Sequence, residues 1–191
     1  LERAEFDPRT DTHRVPAVRY REVREALEER DLEFDDRVLS AAPAVGDLES
    51  SYELREYQHT ALADWEDAGR RGVLELPTGS GKTVVAIAAI ERLGVPTLVV
   101  VPTIDLLEQW RRELEIEFGD AVDIGQFGGG EQRRGPITVS TYDSAYLKAD
   151  DVGDAFEFVV VDEAHHLGGA GYRDVARLLA APDRMGLTAT F

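Results

Sequence analysis

The stretch VLELPTGSGKTVVAIAAI, residues 73–90, places two glycines, a lysine and a threonine between a short apolar run and an alanine-rich one. Gly79 and Gly81 let backbone N–H groups converge on phosphate oxygens with no Cβ in the way, and the N-terminus of a following helix adds positive potential. In such a loop Lys82 reaches the β and γ phosphates of a nucleotide, and the Thr83 hydroxyl sits on Mg²⁺. The strict G-x-x-x-x-G-K-[ST] spacing is not met, because Leu76 stands where the first glycine would be. A glycine-rich turn that merely caps a helix is the plain alternative. It fits poorly: the chain holds two lysines, Lys82 and Lys148, against 19 arginines, and one of the two falls here.

A metal–nucleotide site also needs a carboxylate at the end of a neighbouring strand. The segment FEFVVVDEAHH, residues 156–166, offers Asp162 directly after an apolar run, with Glu163 beside it. Ligands of open α/β sheets bind at that carboxyl edge. In this role Asp162 contacts Mg²⁺ through water, while Glu163 orients or deprotonates the water attacking the γ phosphate. An acidic strand-to-helix turn, with Asp as a cap, is the bland reading. A third reading gathers Asp162, Glu163, His165 and His166 round one metal ion. Consecutive residues on one turn seldom converge on an ion, however, and no H-E-x-x-H spacing is present. From the residues alone the chemistry is Mg²⁺-dependent nucleotide hydrolysis.

These groups must be held by regular elements, and from Leu54 onward the pattern supplies them. Helical periodicity over 54–68, 82–93, 104–118, 142–148 and 172–180 alternates with short apolar runs at 73–76, 97–101, 122–127, 137–140, 156–161 and 185–188. Continuous apolar strands such as TLVVV and FEFVVV predict burial on both faces, hence an α/β fold with a mostly parallel sheet covered by helices. GGGEQRRG reads as a loop, with Arg133 and Arg134 either solvated or touching nucleic acid. Before residue 50 the chain predicts a short amphipathic helix over 20–30, a strand-like LEFDDRVL and a linker, SAAPAVGDLESS, over 40–51. The expected boundary near residue 50 sets a small partial α+β segment, 1–50, apart from the lobe, 51–191.

Composition bounds the rest. The 191 residues carry 38 acidic and 21 basic side chains, a net charge of −17, with an ordinary 43% hydrophobic content, so a packed globular chain is expected. With no cysteine, disulfides, Cys-based zinc sites and a Cys nucleophile are excluded. No apolar run reaches the roughly 20 residues that cross a bilayer, and a cytosolic setting is expected. High acidity with scarce lysine suggests a halophilic source. The start at Leu1 with a single methionine, Met185, suggests a fragment.

The set LREYQ (54–58), LPTGSGKT (76–83), VVVPTIDLLEQW (99–110), TVSTYDSAY (138–146), VVVDEAHH (159–166) and GLTATF (186–191) resembles the first RecA-like lobe of superfamily 2 helicases. Within them it resembles the XPB (xeroderma pigmentosum group B) type, particularly the archaeal form. Residues 6–27 look like the end of that family's damage-recognition-like domain. The resemblance implies an ATP-dependent DNA helicase or translocase of repair or transcription. It implies that Gln58, with Arg55 nearby, reads the adenine edge, and that Pro77, Thr78, Gly79, Ser80, Gly81, Lys82 and Thr83 hold the triphosphate. Asp162 would serve Mg²⁺ and Glu163 catalysis. His165 would link the nucleotide to Thr188 and Thr190. Pro102, Thr103, Ser140 and Thr141 would line the path of one DNA strand through sequence-independent backbone contacts. It further implies a second RecA-like lobe outside this chain, and a repair nuclease or transcription factor as partner. The alternatives are a nucleotide- and DNA-binding module without catalysis of its own, or another P-loop phosphotransferase.

Overall fold

The computed structural model of the chain describes residues 4–40, 45–168 and 172–189. Its first strands, β1 (Glu5–Asp7) and β2 (Thr12–Arg14), form an antiparallel pair. The pair is held partly by Asp7, which is buried and accepts from Arg9 and Arg14. The Arg9 guanidinium holds the Asp7 carboxyl below its usual range. A 3₁₀ turn leads into α1 (Tyr20–Glu28), where Arg21–Glu25 and Arg24–Glu28 pairs lie one turn apart. The strand-like LEFDDRVL does not form a strand: among the described residues it pairs with no other segment, and Leu32, Phe34 and Val38 stay exposed.

The remaining elements are α2 (Glu56–Asp67), β3 (Arg71–Glu75), α3 (Lys82–Leu93), β4 (Thr97–Val101), α4 (Ile104–Phe118), β5 (Ile124–Gly128) and β6 (Glu131–Arg133), then β7 (Ile137–Thr141), α5 (Tyr142–Leu147), α6 (Ala149–Val152), β8 (Phe158–Val161), α7 (Tyr172–Leu178) and β9 (Asp183–Thr188). The strands make one seven-stranded sheet in the order β3-β9-β8-β4-β7-β5-β6. Every neighbouring pair is parallel except β5–β6.

Period-two alternation explains why the apolar strands can be continuous. Val99 and Val101 of β4, Val139 of β7 and Phe158 and Val160 of β8 face one core. Leu62 and Trp65 of α2, Ile87 and Ile90 of α3, and Leu107, Trp110 and Leu114 of α4 fill it. On the opposite face Leu98, Val100, Val159 and Val161 meet Tyr142, Ala145, Val175 and Leu179. The sheet is thus covered on both sides.

Two further features differ from the sequence expectation. The stretch GGGEQRRG contains strand β6, which pairs back on β5, and Arg133 is consumed there by Asp123, Glu131 and the carbonyl of Ile124. Residues 45–51 of the segment expected as a linker are packed. Val45 and Leu48 enter the main core, and Ser50 and Ser51 donate to Glu117 of α4.

The N-terminal segment is fastened to the sheet at the end opposite the strands' carboxyl edge. Arg21 donates to the carbonyl of Gly69 and approaches Asp183 at 3.4 Å, while Arg71 donates to Val18 O at 3.1 Å. Burial pushes the Asp183 carboxyl up despite the arginines around it.

Candidate nucleotide and nucleic-acid site

Because the main ladder is parallel, β3, β9, β8, β4 and β7 all end at one edge. Their exits are the 76–81 loop, Thr188, Asp162, Pro102–Thr103 and Thr141. Only β9 separates β3 from β8, so the phosphate loop and Asp162 leave strands roughly 10 Å apart at the usual interstrand spacing.

The loop from Leu76 to Gly81 turns between β3 and α3 with Ser80 N donating to Pro77 O at 3.1 Å. Gly79 and Gly81 have φ of +77° and +79°, the left-handed region in which a side chain is strained. Gly81 is also the N-cap of α3. A Cβ there would stand 2.6 Å from Gln58 Nε2, whereas a Cβ at Gly79 meets nothing within 4 Å. Pro77, Thr78 and Gly79 are exposed. Lys82 folds back, its Nζ 3.4 Å from Leu76 O. Ser80 Oγ is buried without a hydrogen-bond partner, the sole such side-chain atom among the described residues. An orphaned hydroxyl of this kind calls for an acceptor or donor from outside the chain, and a phosphate oxygen supplies one.

Gln58 is buried and supports the loop from below. Its Oε1 accepts from Arg55 N at 2.8 Å, closing the N-terminus of α2, and its Nε2 donates to Ser80 O at 2.9 Å and Gly81 O at 3.3 Å. Tyr57 adds a hydroxyl bond to Ser80 O at 2.6 Å. Arg55 is exposed beside them. The amide expected at the adenine edge is thus engaged with loop backbone.

Asp162 follows β8 and is 7% exposed. Its Oδ2 accepts from Trp110 Nε1 at 2.7 Å, its Oδ1 from Glu163 N at 2.9 Å. Glu163 has φ +49°, a conformation that non-glycine residues rarely adopt. Its Oε2 lies 3.3 Å from His165 Nδ1, and the same nitrogen is 3.2 Å from Thr188 Oγ1. The carbonyl of Thr188 accepts from Leu76 N at 3.0 Å. Glu163, His165, Thr188 and the first residue of the phosphate loop are therefore contiguous. Thr190 lies outside the described residues. Asp162 and Thr83 carry oxygen donors of the hard type that suits Mg²⁺. The four-residue metal cluster finds no counterpart: among the described residues no three His, Asp or Glu side chains converge as an ion site, and His165 stacks on His166.

Thr103 and Thr141 are the N-caps of α4 and α5, accepting from Leu106 N and Ser144 N. Each stands at a helix N-terminus, where phosphate binding is favoured. Pro102 is half-buried beside Thr103. Ser140 differs from its partner: it is fully buried and donates to Thr141 O at 3.0 Å, so Thr141 is the member of that pair open to a ligand.

The family model described as "Type III restriction enzyme, res subunit" matches residues 51–191. The chain belongs to this family. A second model, the xeroderma pigmentosum group B helicase damage recognition domain, matches residues 1–38, and the XPB-like character expected from the motifs is borne out by relatives. The chain is 43% identical over 176 residues to the DNA 3'-5' translocase XPB2 of Sulfurisphaera tokodaii, covering 91% of this chain and 39% of that protein. It is 43% identical over 161 residues to the putative DNA 3'-5' helicase Rad25 of Halobacterium salinarum, covering 82% and 26%. The chain thus spans less than half the length of these curated relatives. The solved SWI2/SNF2 ATPase core of Sulfolobus solfataricus in complex with dsDNA is similar at TM-score 0.61 and 20% identity, over 82% of this chain and 35% of that one. That likeness concerns the fold.

Tyr57, Trp110 and Tyr142 lie within the motifs, yet their contacts to Ser80 and Asp162 are not evident from the sequence. Trp110 reads as one more apolar position in the Leu107, Trp110, Leu114, Phe118 stripe of α4. The available signal was chemical, since a buried indole N–H needs an acceptor, and Asp162 is that acceptor.

Proposed function

We propose that this chain is the first motor lobe of an ATP-driven DNA helicase or translocase of repair or transcription. The observation that carries the reading is the convergence, on one sheet edge, of a phosphate cradle, an Asp–Glu pair and two helix N-caps. ATP is bound with its phosphates over residues 77–83. Lys82 releases its long contact to Leu76 O and turns to the β and γ phosphates. Ser80 Oγ and the loop amides take further phosphate oxygens. Thr83 and Asp162 would hold Mg²⁺, which would supply charge neutralisation of the triphosphate. Glu163, close to His165, orients the attacking water and accepts its proton. Thr103 and Thr141 contact phosphates of one DNA strand, positioning it without reading bases.

His165 and Thr188 join Glu163 to the start of the phosphate loop, and this short chain of contacts supports a role in relaying the state of the nucleotide. Hydrolysis is assigned to the whole protein, with a second lobe completing the cleft, and nucleotide binding to the lobe described here. Such a lobe on its own turns ATP over little. The test is DNA-stimulated ATP hydrolysis by the complete protein. Lys82→Ala and Glu163→Gln each reduce it by orders of magnitude; wild-type rates in both variants would overturn the assignment.

A further inference from the structure

Trp110 is 1% exposed and sits in α4, two turns after the Thr103 cap. Tyr142, also 1% exposed, is the first residue of α5. Both reach Asp162. Trp110 Nε1 donates to Asp162 Oδ2 at 2.7 Å in a buried contact, and Tyr142 OH donates to Asp162 O at 3.0 Å. The amide of Asp162 donates to Val100 O at 2.9 Å, and its Oδ1 accepts from Glu163 N. Backbone and side chain of this one residue are thereby fixed from β4, α4, α5 and the following peptide.

Of the two bonds to the carboxylate itself, one comes from the adjacent peptide and the other from the distant Trp110 side chain. An indole nitrogen only donates, so Asp162 Oδ2 is the acceptor in this contact. It also fixes rotation about the Asp162 Cβ–Cγ bond, since Oδ1 is tethered to Glu163 N and Oδ2 to Trp110. Each carboxylate oxygen retains a lone pair for a metal-bound water. The stripe Leu107, Leu114 and Phe118 that packs α4 on the sheet would be served by any large apolar side chain at 110. The nitrogen is what adds chemistry.

We infer that Trp110 is a positioning residue, whose indole N–H holds the Asp162 carboxylate in the orientation that receives Mg²⁺ with the nucleotide. The inference rests on Asp162 as the metal carboxylate. Residues that orient a metal ligand from behind commonly change metal affinity by about 10–100-fold when removed.

Trp110→Phe keeps the aromatic bulk and deletes the donor. In the 191-residue chain, binding of a fluorescent ADP analogue is titrated with MgCl₂ and, separately, measured in EDTA. Trp110→Phe raises the Mg²⁺ concentration for half-maximal enhancement roughly tenfold or more and leaves binding in EDTA unchanged. A general packing defect would weaken both. Unchanged Mg²⁺ dependence in Trp110→Phe, together with a loss in Asp162→Asn, overturns the inference while sparing the metal assignment. If Asp162→Asn is also unaffected, the metal assignment falls and the inference with it. A second readout needs no change at 110. In Trp65→Phe the remaining indole N–H resonance belongs to Trp110, and it shifts on adding MgCl₂ with ADP but not on adding ADP in EDTA. An indole resonance indifferent to Mg²⁺ would overturn the inference even if Trp110→Phe does not fold.

Discussion

Gly81→Ala tests how the phosphate loop is built. The native φ of +79° would strain an alanine, at a cost of about 1–2 kcal/mol. The new Cβ would also stand 2.6 Å from Gln58 Nε2. That amide is the tip of a flexible side chain and can yield, but in yielding it leaves Ser80 O and Gly81 O, to which it now donates at 2.9 and 3.3 Å. Two such bonds are worth about 1 kcal/mol each. The total for Gly81→Ala is therefore about 3–4 kcal/mol. Gly79→Ala, with φ +77° and nothing within 4 Å of its Cβ, carries the strain alone, about 1–2 kcal/mol. Thermal unfolding followed by circular dichroism separates them, since a chain of this size loses roughly 2–4 °C per kcal/mol. Gly81→Ala melts below Gly79→Ala by roughly 4–8 °C. In a Gln58→Ala background the excess vanishes and the two glycine substitutions cost the same. Equal melting temperatures in the wild-type background, or an excess that survives without Gln58, would refute the proposed coupling between loop and amide.

Other outcomes follow from single observations. With φ of +49° at Glu163, Glu163→Gly is more stable than Glu163→Ala by about 1 kcal/mol, the reverse of the order at an ordinary site; chemical denaturation of the pair measures it. The Tyr52 hydroxyl donates to Glu113 at 2.6 Å and its pKa is pushed up to about 12, chiefly by that bond and then by burial. A raised folded-state value means the bond's contribution is whole below the ordinary tyrosine range, near about 10, and is lost as pH rises through about 12. Absorbance titration against Tyr52→Phe should show one tyrosinate appearing late, and a midpoint near about 10 would contradict the structure. A net charge of −17 places many carboxylates close together, so the melting temperature rises with KCl as screening grows; a flat or falling salt profile would remove the case for adaptation to concentrated salt.

The long elements were legible because their ends carry distinct chemistry. The Gly81 and Gly94 caps bound α3, Thr103 starts α4, and TLVVV matches a strand buried on both faces. The phosphate loop and Asp162 could be placed on one edge by the parallel-sheet argument. What stayed hidden depended on partners distant in the chain. LEFDDRVL has strand-like alternation but pairs with no other segment among the described residues, whereas β6, with the polar sequence EQR, forms because β5 lies beside it. Val45 and Leu48 looked like linker residues among small neighbours, yet both are buried in the main core. Ser140 was grouped with Thr141 by adjacency, but it belongs to the buried run of β7, whereas Thr141 stands at the strand's end. Trp110 showed its size in the sequence but not its acceptor, 52 residues further on.

The most direct test of the nucleotide lobe is calorimetric titration of a non-hydrolysable ATP analogue with Mg²⁺ into the 191-residue chain and its Lys82→Ala variant. Lys82 makes one long contact in the free loop, 3.4 Å to Leu76 O, so its removal leaves the melting temperature near wild type. Loss of a charged bond to phosphate weakens binding about 10–100-fold. Saturable binding by wild type and that loss in the variant are the predicted results; equal affinity in the two chains, or no binding by either, would contradict the claim.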